Sequence, residues 1–526
     1  MDTKRLIVFM LISMSIVFLW QEWETRRHPP QPAAAQQRAA ADRPGAAVPV
    51  ALPGAETKTK LEQGQRLRVT TDMLVADIES VGGDIRRLEL RKHGSVADPK
   101  QPLVLFDSLP EKTYVAQSGL FDQSVADLPS HHTAFTLPAG AMTLADGQNS
   151  LQVRLEAATA EGIKVAKIYT FSRGSYLIDT RYEVVNGSPK AITPSAYFRL
   201  LRDGHKPEGE TRMASTFSGA AMFTAQNKYQ KIAYEDIDKG KAKFTDSCDN
   251  GWIGIVQHYF VAAWLPDNAA TTADDCSKQP DRKFEIKKSG ELYSTAVIRS
   301  LGTIQPGQSA SIAVPLFAGP QESAAFNALG NRGNGLDYTK DYGLLKVLAA
   351  PMFLLLQFLH KLVGNWGWAI ILLTVIIKTA LYPLSAASYR SMAQMKALAP
   401  RLEHLKERHG DDRQKFHQAM MELYKAEKIN PLGGCLPMVL QIPIFIALYW
   451  SLLGAVELRQ TPWIMWIHDL SQPDPYYVLP VILAGLMFAQ TFLNPPPTDP
   501  MQAKMMKIMP LAFSVMFFFF PAGLVI

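Results

Sequence analysis

Apolar runs long enough to cross a bilayer crowd the last third of this 526-residue chain and constrain its fold more than any other feature. A hydrocarbon core takes about 20 apolar residues of helix to cross, and lipid offers the backbone no hydrogen-bonding partner, so such runs fold as helices. Runs at about 366–384, 436–453, 476–493 and 508–520 fit this description. Another begins at residue 522 and stops at Ile526, which reads as a truncated last span. At the other end, Lys4 and Arg5 precede an apolar run over 6–20 flanked by Trp20 and Trp23, read as an N-terminal signal anchor over 1–27. The sequence predicts a polytopic α-helical membrane protein of five to six transmembrane helices.

Between the anchor and these spans the composition changes twice. Residues 28–57 are rich in Pro, Ala and Gln and form a linker with too few large apolar side chains for a core. Residues 58–340 alternate instead with a period of two, as in Leu67, Val69, Thr71, Met73 and Val75, and again in Tyr176, Ile178, Thr180, Tyr182 and Val184. Turn pairs such as Gly82-Gly83, Arg173-Gly174 and Asn186-Gly187 punctuate these runs, which predicts a large β-sandwich domain. The Gly-rich stretch 330–335 and the sequon Asn186-Gly187-Ser188 read as turns. His131, His132 and His205 have no carboxylate or cysteine at ligand spacing and read as surface loop histidines. No catalytic constellation, metal site or cofactor motif emerges, so no enzyme is predicted. Cys248 and Cys276 read equally as a disulfide or as two free thiols, and Cys435 as a packing residue. Residues 341–365 form an amphipathic pattern with Lys346 on its more polar side, expected to lie along the outer membrane surface.

The net charge of +6 comes with no nucleic-acid motif, and direct nucleic-acid binding is not expected. Basic excess beside membrane spans explains it better, because Lys and Arg concentrate on the cytoplasmic side. Residues 385–430 carry nine Lys or Arg against six Asp or Glu, whereas 457–474 carry Arg459 as their one basic residue. The former are therefore cytoplasmic, which puts the β domain on the periplasmic side and the N-terminus inside. Helical spacing of Met395, Leu398, Leu402 and Leu405 before Gly410-Asp411-Asp412, and of Phe416, Met420 and Leu423 after it, predicts a cytoplasmic helical hairpin over 385–430.

Lys378 interrupts the first of the long spans. A lysine near the middle of a span costs at least about 2.5–3.5 kcal/mol. Thr374 one turn before it and Tyr382 one turn after it give a polar stripe, which favours a wet groove over a snorkelling side chain. Gln441, between Pro437 and Pro443 in the next span, also needs polar company. No carboxylate lies in the apolar core of any span, which disfavours an ion-coupled transporter. A solute or lipid transporter using the same groove is the alternative reading.

Several motifs follow one another in order: Thr379-Ala-Leu-Tyr-Pro-Leu384, Tyr424-Lys-Ala-Glu-Lys428, Asn430-Pro-Leu-Gly-Gly-Cys435, Gln441-Ile-Pro-Ile-Phe445, Trp466-Ile-His-Asp-Leu470, Asp474-Pro-Tyr-Tyr477 and Phe520-Pro-Ala-Gly523. Together they resemble the YidC insertases of the YidC/Oxa/Alb family, in the Gram-negative form with a large periplasmic domain of sugar-mutarotase-like fold. The resemblance implies an inner-membrane insertase and chaperone that places newly made membrane proteins in the bilayer, alone or with the Sec translocon. It implies a hydrophilic groove in which Lys378 stands where the family usually has arginine, and in which Thr374 matches a substrate-contact position. Phe445, Leu483 and Phe517 are expected along an apolar slide for the substrate helix. A contact tyrosine expected in the final span falls beyond Ile526. Ribosomes and membrane lipids are further implied partners, and no cofactor is implied.

Overall fold

The computed structural model describes residues 61–109, 111–207, 216–266, 276, 281–340, 342, 345–409, 412–427, 436–493, 508 and 514–526. The anchor over 1–27, the linker over 28–57 and Cys435 lie outside the described residues.

Among the described residues, the segment from 61 to 320 forms two nine-stranded sheets. The first runs, neighbour by neighbour, through Arg282–Ser289, Leu292–Ser300, Ser195–Asp203, Lys112–Phe121, Pro102–Leu109, Ile85–Gly94, Leu74–Glu79, Arg66–Thr70 and Met142–Thr143. The second runs through Lys228–Ile232, Gly219–Thr224, Trp252–Val256, Phe260–Trp264, Leu316–Pro320, Leu177–Asn186, Ile163–Ser172 and Ser150–Ala158, with Ser309–Ala313 also paired to Leu177–Asn186. The sheets share one apolar core. Phe198 of the first meets both Tyr182 and Trp264 of the second, at ring-centroid distances of 5.9 and 5.3 Å. Such aromatic contacts add about 0.5–1.5 kcal/mol each beyond their area burial.

The alternation over 176–184 places every second side chain in this core. That over 67–75 does so only as far as Thr71. The Thr71 hydroxyl oxygen accepts from the backbone N–H of Met73 and Leu74, closing a turn, after which Leu74, Ala76 and Ile78 face inward. A turn resets a period-two pattern, because a one-residue offset moves every side chain to the other face.

His131 departs from the surface reading: it is fully buried, with its ring Nδ1 hydrogen-bonded to the Tyr197 hydroxyl, whereas His132 and His205 are exposed. Burial pushes the His131 imidazolium far below its ordinary range, so the ring is neutral. Nearby, the buried Lys167 ammonium donates to Gly82 O at 2.9 Å and lies 3.3 Å from Asp84 Oδ1, tying the sheets together. Burial lowers its pKa to about 8 despite the carboxylate. Cys248 and Cys276 form a disulfide. Asn186 of the sequon is buried at the end of the strand Leu177–Asn186 rather than in a turn, and donates to Lys190 O and Ile304 O, while Gly330–Gly333 forms one short 3-10 helix.

The helices follow. α1 spans Lys346–Val363, α2 Trp366–Ala380, α3 Tyr382–Ala397, α4 Ala399–His409, α5 Arg413–Ala426, α6 Leu436–Leu453, α7 Val478–Leu493 and α8 Ala522–Val525. α1 is long and apolar enough to cross a membrane. It buries Ala349, Phe353, Leu356 and Leu359 against α2 and α6, while Val347, Leu354, Phe358 and Leu362 are exposed, so its outward face is apolar rather than charged.

The run over 366–384 is not one straight helix. α2 ends at Ala380 and α3 leaves it at 57°. Pro383 accounts for the break, since it has no N–H to donate and its ring crowds the carbonyl of Thr379. α4 and α5 pack side by side as a helical hairpin, pinned by Arg401 Nη1 to Glu427 Oε1 at 2.6 Å, and start later than 385 because α3 continues to Ala397.

Candidate functional site

α2 owes its position to its first turn. Asn365 caps it, accepting from the N–H of Gly367 and Trp368, while its own amide donates to Pro462 O at 3.2 Å. Gly367 lets the Trp463 side chain approach the helix backbone; a Cβ there would stand 2.1 Å from Trp463 Cδ1. On the other side, Ser451 Oγ of α6 lies 2.8 Å from Ala447 O and 3.0 Å from Ala349 O of α1. Small and hydroxylated residues at helix contacts draw backbones together where apolar burial gives little preference over lipid.

On this frame Lys378 occupies the last turn of α2 and is exposed. The negative end of the helix dipole stabilises a cation there, typically by about 0.3–1 kcal/mol, an offset hidden while 366–384 reads as one helix. Among the described residues no carboxylate forms an ion pair with Lys378. Its Nζ lies 5.8 Å from the centroid of the Phe445 ring of α6. Thr374, one turn earlier, is exposed and donates its hydroxyl to Ile370 O at 3.0 Å, which leaves its oxygen able to accept. Tyr382 is 69% exposed but stands beyond the break, on α3.

Gln441, half-buried, precedes Phe445 by one turn of α6, and Tyr449 follows it by one turn. Tyr449 meets Phe520 at 5.7 Å, and Phe520 meets Phe517 edge-on at 5.6 Å. One apolar line thus joins Lys378, Phe445 and Phe517, with Tyr449 and Phe520 as links that sequence spacing did not single out. Leu483 is half-buried on α7, apart from the aromatic contacts that make up this line.

A second polar cluster, missed in the sequence, lies where the β domain meets the loop after α6. Gln460 donates to Ser95 O and accepts from Gly94 N, both at 2.9 Å, and His258 Nε2 donates to Leu453 O at 2.8 Å. Lys340 Nζ is 3.8 Å from Glu457, and Glu322 sits beside His93 at 3.7 Å. Burial, reinforced by Glu457, raises the Glu322 carboxyl to about 7. Burial also pushes Glu457 up and Lys340 down, so attraction across this pair does not fully offset the loss of water. His93 is lowered to about 4, first by burial and then by Arg459. Between those two values both His93 and Glu322 are neutral.

Two family models match the chain in sequence: the YidC periplasmic domain over residues 66–355, and the 60Kd inner membrane protein over 358–526. The membrane protein insertase YidC of Laribacter hongkongensis is 54% identical, over 100% of this chain and 94% of that protein. The chain belongs to the YidC membrane protein insertases. The YidC of Nitrosospira multiformis is 48% identical over the same shares of the two chains. This membership fixes the bacterial inner membrane as the setting and the two-sheet unit as the family's periplasmic domain. A solved YidC insertase with its first transmembrane domain resolved aligns over 89% of this chain and 91% of its own, at 16% identity and a TM-score of 0.38. A galactose mutarotase related enzyme from Lactobacillus acidophilus aligns over 48% of this chain and 97% of its own, with a TM-score of 0.30. Both likenesses are too loose to carry an argument about the fold.

Proposed function

We propose that this insertase works through an electrostatic groove centred on Lys378, opening to the cytoplasm and sideways to lipid. The observation that carries the reading is an exposed ammonium within an apolar helix pair, with an exposed phenyl ring beside it and no carboxylate paired to it among the described residues. An acidic or polar stretch of a new membrane protein meets Lys378, the Thr374 hydroxyl, Gln441 and Tyr382, and so enters partway into the bilayer. Its apolar segment meets Phe445 and Phe517, with Leu483 on the far wall, and leaves along them into lipid.

The driving force is physical rather than chemical. Apolar residues gain by partitioning into the bilayer, and each acidic charge moved outward gains about 2.3 kcal/mol per 100 mV of membrane potential. No nucleotide, metal or cofactor enters the scheme. In this topology the N-terminus and the α4–α5 hairpin are cytoplasmic, and the whole chain has five to six spans. α1 lies at the outer surface with its apolar face in lipid. The hairpin is the docking face for ribosomes bearing nascent chains, and the membrane helices serve as the contact for the Sec translocon and for lipids.

The test is site-specific crosslinking with a photoreactive phenylalanine analogue at position 445 or, as a control, at the exposed Val185 of the β domain. A stalled single-span nascent chain should crosslink at 445 and not at 185. Absence of the adduct at 445, or equal adducts at both positions, contradicts the groove.

A further inference from the structure

The loop between α6 and α7 carries an apolar tip. Residues 460–467, Gln-Thr-Pro-Trp-Ile-Met-Trp-Ile, hold no charged side chain. Ile467 N donates to Ile464 O at 3.1 Å and Trp463 N to Ile467 O at 3.0 Å, which closes a tight turn. Met465, the first central residue of that turn, has φ 50°. Glycine, asparagine or aspartate usually fills such a position, because a larger side chain crowds the backbone at positive φ. Here it is a methionine, 75% exposed, beside an exposed Ile464.

The tip is fastened to the first turns of two apolar helices. Trp463 packs at Gly367 of α2 and meets the exposed Trp368 edge-on, with ring centroids 5.9 Å apart. Trp466 Nε1 donates to Asp474 Oδ1 at 3.1 Å. That buried carboxylate also accepts from Tyr476 N at 3.0 Å and from Leu479 N at 2.8 Å, where α7 begins. Tyr476 is itself exposed, as is Leu362 near the end of α1. Tryptophan and tyrosine gather at bilayer interfaces, which accommodate an apolar ring and a polar edge together. The exposed side chains at this end of the helices have that composition.

We infer that the Ile464–Met465 tip is a lipid contact, seated in the outer leaflet where headgroups meet acyl chains. The choice of leaflet rests on the topology proposed above, which puts the first turns of α2 and α7 at the outer surface. Seating Met465 and Ile464 there removes apolar surface from water, and the uncharged stretch 460–467 leaves no ionised group to dehydrate. Because the residues that fasten the tip are the ends of spans, lipid reaches it without any further partner. The contact also sets the height of the β domain, since Gln460 at the start of the same stretch bonds to Ser95 O and Gly94 N.

Spin labelling of the whole protein in vesicles of phosphatidylethanolamine and phosphatidylglycerol tests this. In a Cys435→Ser background that keeps the Cys248–Cys276 disulfide, a nitroxide is attached at Met465→Cys, at Ile464→Cys or, as a control, at Val185→Cys, an exposed position of the β domain. Power saturation then compares collisions with oxygen, which concentrates in lipid, and with a water-soluble nickel chelate. Oxygen should dominate at 464 and 465 and the chelate at 185, with the collision ratio differing several-fold. Chelate dominance at 464 and 465 overturns the inference, because the tip then stands in water. Low collision with both reagents overturns it too, since a protein surface then covers the tip. The leaflet is read separately, by a membrane-impermeant maleimide on spheroplasts carrying His468→Cys, an exposed position next to the turn. Labelling there together with chelate dominance at 465 sinks the lipid contact and leaves the topology standing; no labelling sinks the topology and, with it, the outer-leaflet assignment. Insertion activity enters neither reading, so the result is independent of the Lys378 groove.

Discussion

Glu322→Gln should remove a pH-dependent weakness from the seam between the β domain and the membrane region. The wild-type carboxyl rises from 4.5 to about 7, mainly through burial and secondly through Glu457, with Lys340 opposing. A carboxyl raised in the folded state binds its proton more tightly than in the unfolded chain. Its contribution is fully present below about 4.5 and is lost as pH rises through about 7. A shift of that size corresponds to roughly 3 kcal/mol at most, at about 1.36 kcal/mol per pH unit. The side chain keeps 28% exposure, which places the real effect nearer 1–2 kcal/mol by screening. Glutamine keeps the shape and cannot ionise. Thermal unfolding of the full-length protein in detergent should show wild type and variant melting together at pH 5, with the variant higher by several degrees at pH 8. A gap of equal size at both pH values would refute the assignment of this carboxyl as neutral at the seam.

Three further outcomes follow from the packing. Cys248→Ser should destabilise the β domain by about 3–4 kcal/mol, because the bridge closes a loop across a sequence separation of 28; a reductant should lower the wild-type melting temperature and leave the variant unmoved. Gly367→Ala should cost about 1–3 kcal/mol by driving a methyl into the Trp463 ring, read as lower thermal stability with a changed tryptophan emission. Asn365→Ala should cost about 1 kcal/mol by uncapping α2, with Asn365→Asp recovering the cap but not the amide bond to Pro462 O, so stability should return only in part.

Helix was legible over several stretches of the second half because hydrocarbon permits so few backbone solutions: Trp366–Ala380, Ala399–His409, Arg413–Ala426 and Leu436–Leu453 are helical, as the sequence reads them. The break at Leu381 was not, although Pro383 signalled it: apolar composition runs straight through the proline, while the helix does not. That break matters for the site, because it puts Lys378 at a helix end and moves Tyr382 to another helix. In the β domain, alternation at 176–184 was reliable where strands are long, and failed at 71–75 where a threonine-capped turn inverted the register. His131 looked like a loop histidine because nothing local to it is a ligand; Tyr197, which holds it, is 66 residues away. The seam of Glu322, Lys340, Glu457 and Arg459 was out of reach for the same reason, since its members gain meaning only when the loop after α6 folds against the sheets.

The charge at position 378 is the central claim, and insertion in cells depleted of the native protein tests it most directly. Cells carrying Lys378→Arg, Lys378→Ala or Lys378→Glu are scored for insertion of a small single-span protein with an acidic translocated segment. Arginine keeps the charge and should sustain insertion; alanine should reduce it, and glutamate, which repels the same segment, should reduce it further. Neutralising the segment's acidic residues should narrow the difference between the variants. Full insertion by Lys378→Glu at normal protein levels would contradict the electrostatic groove.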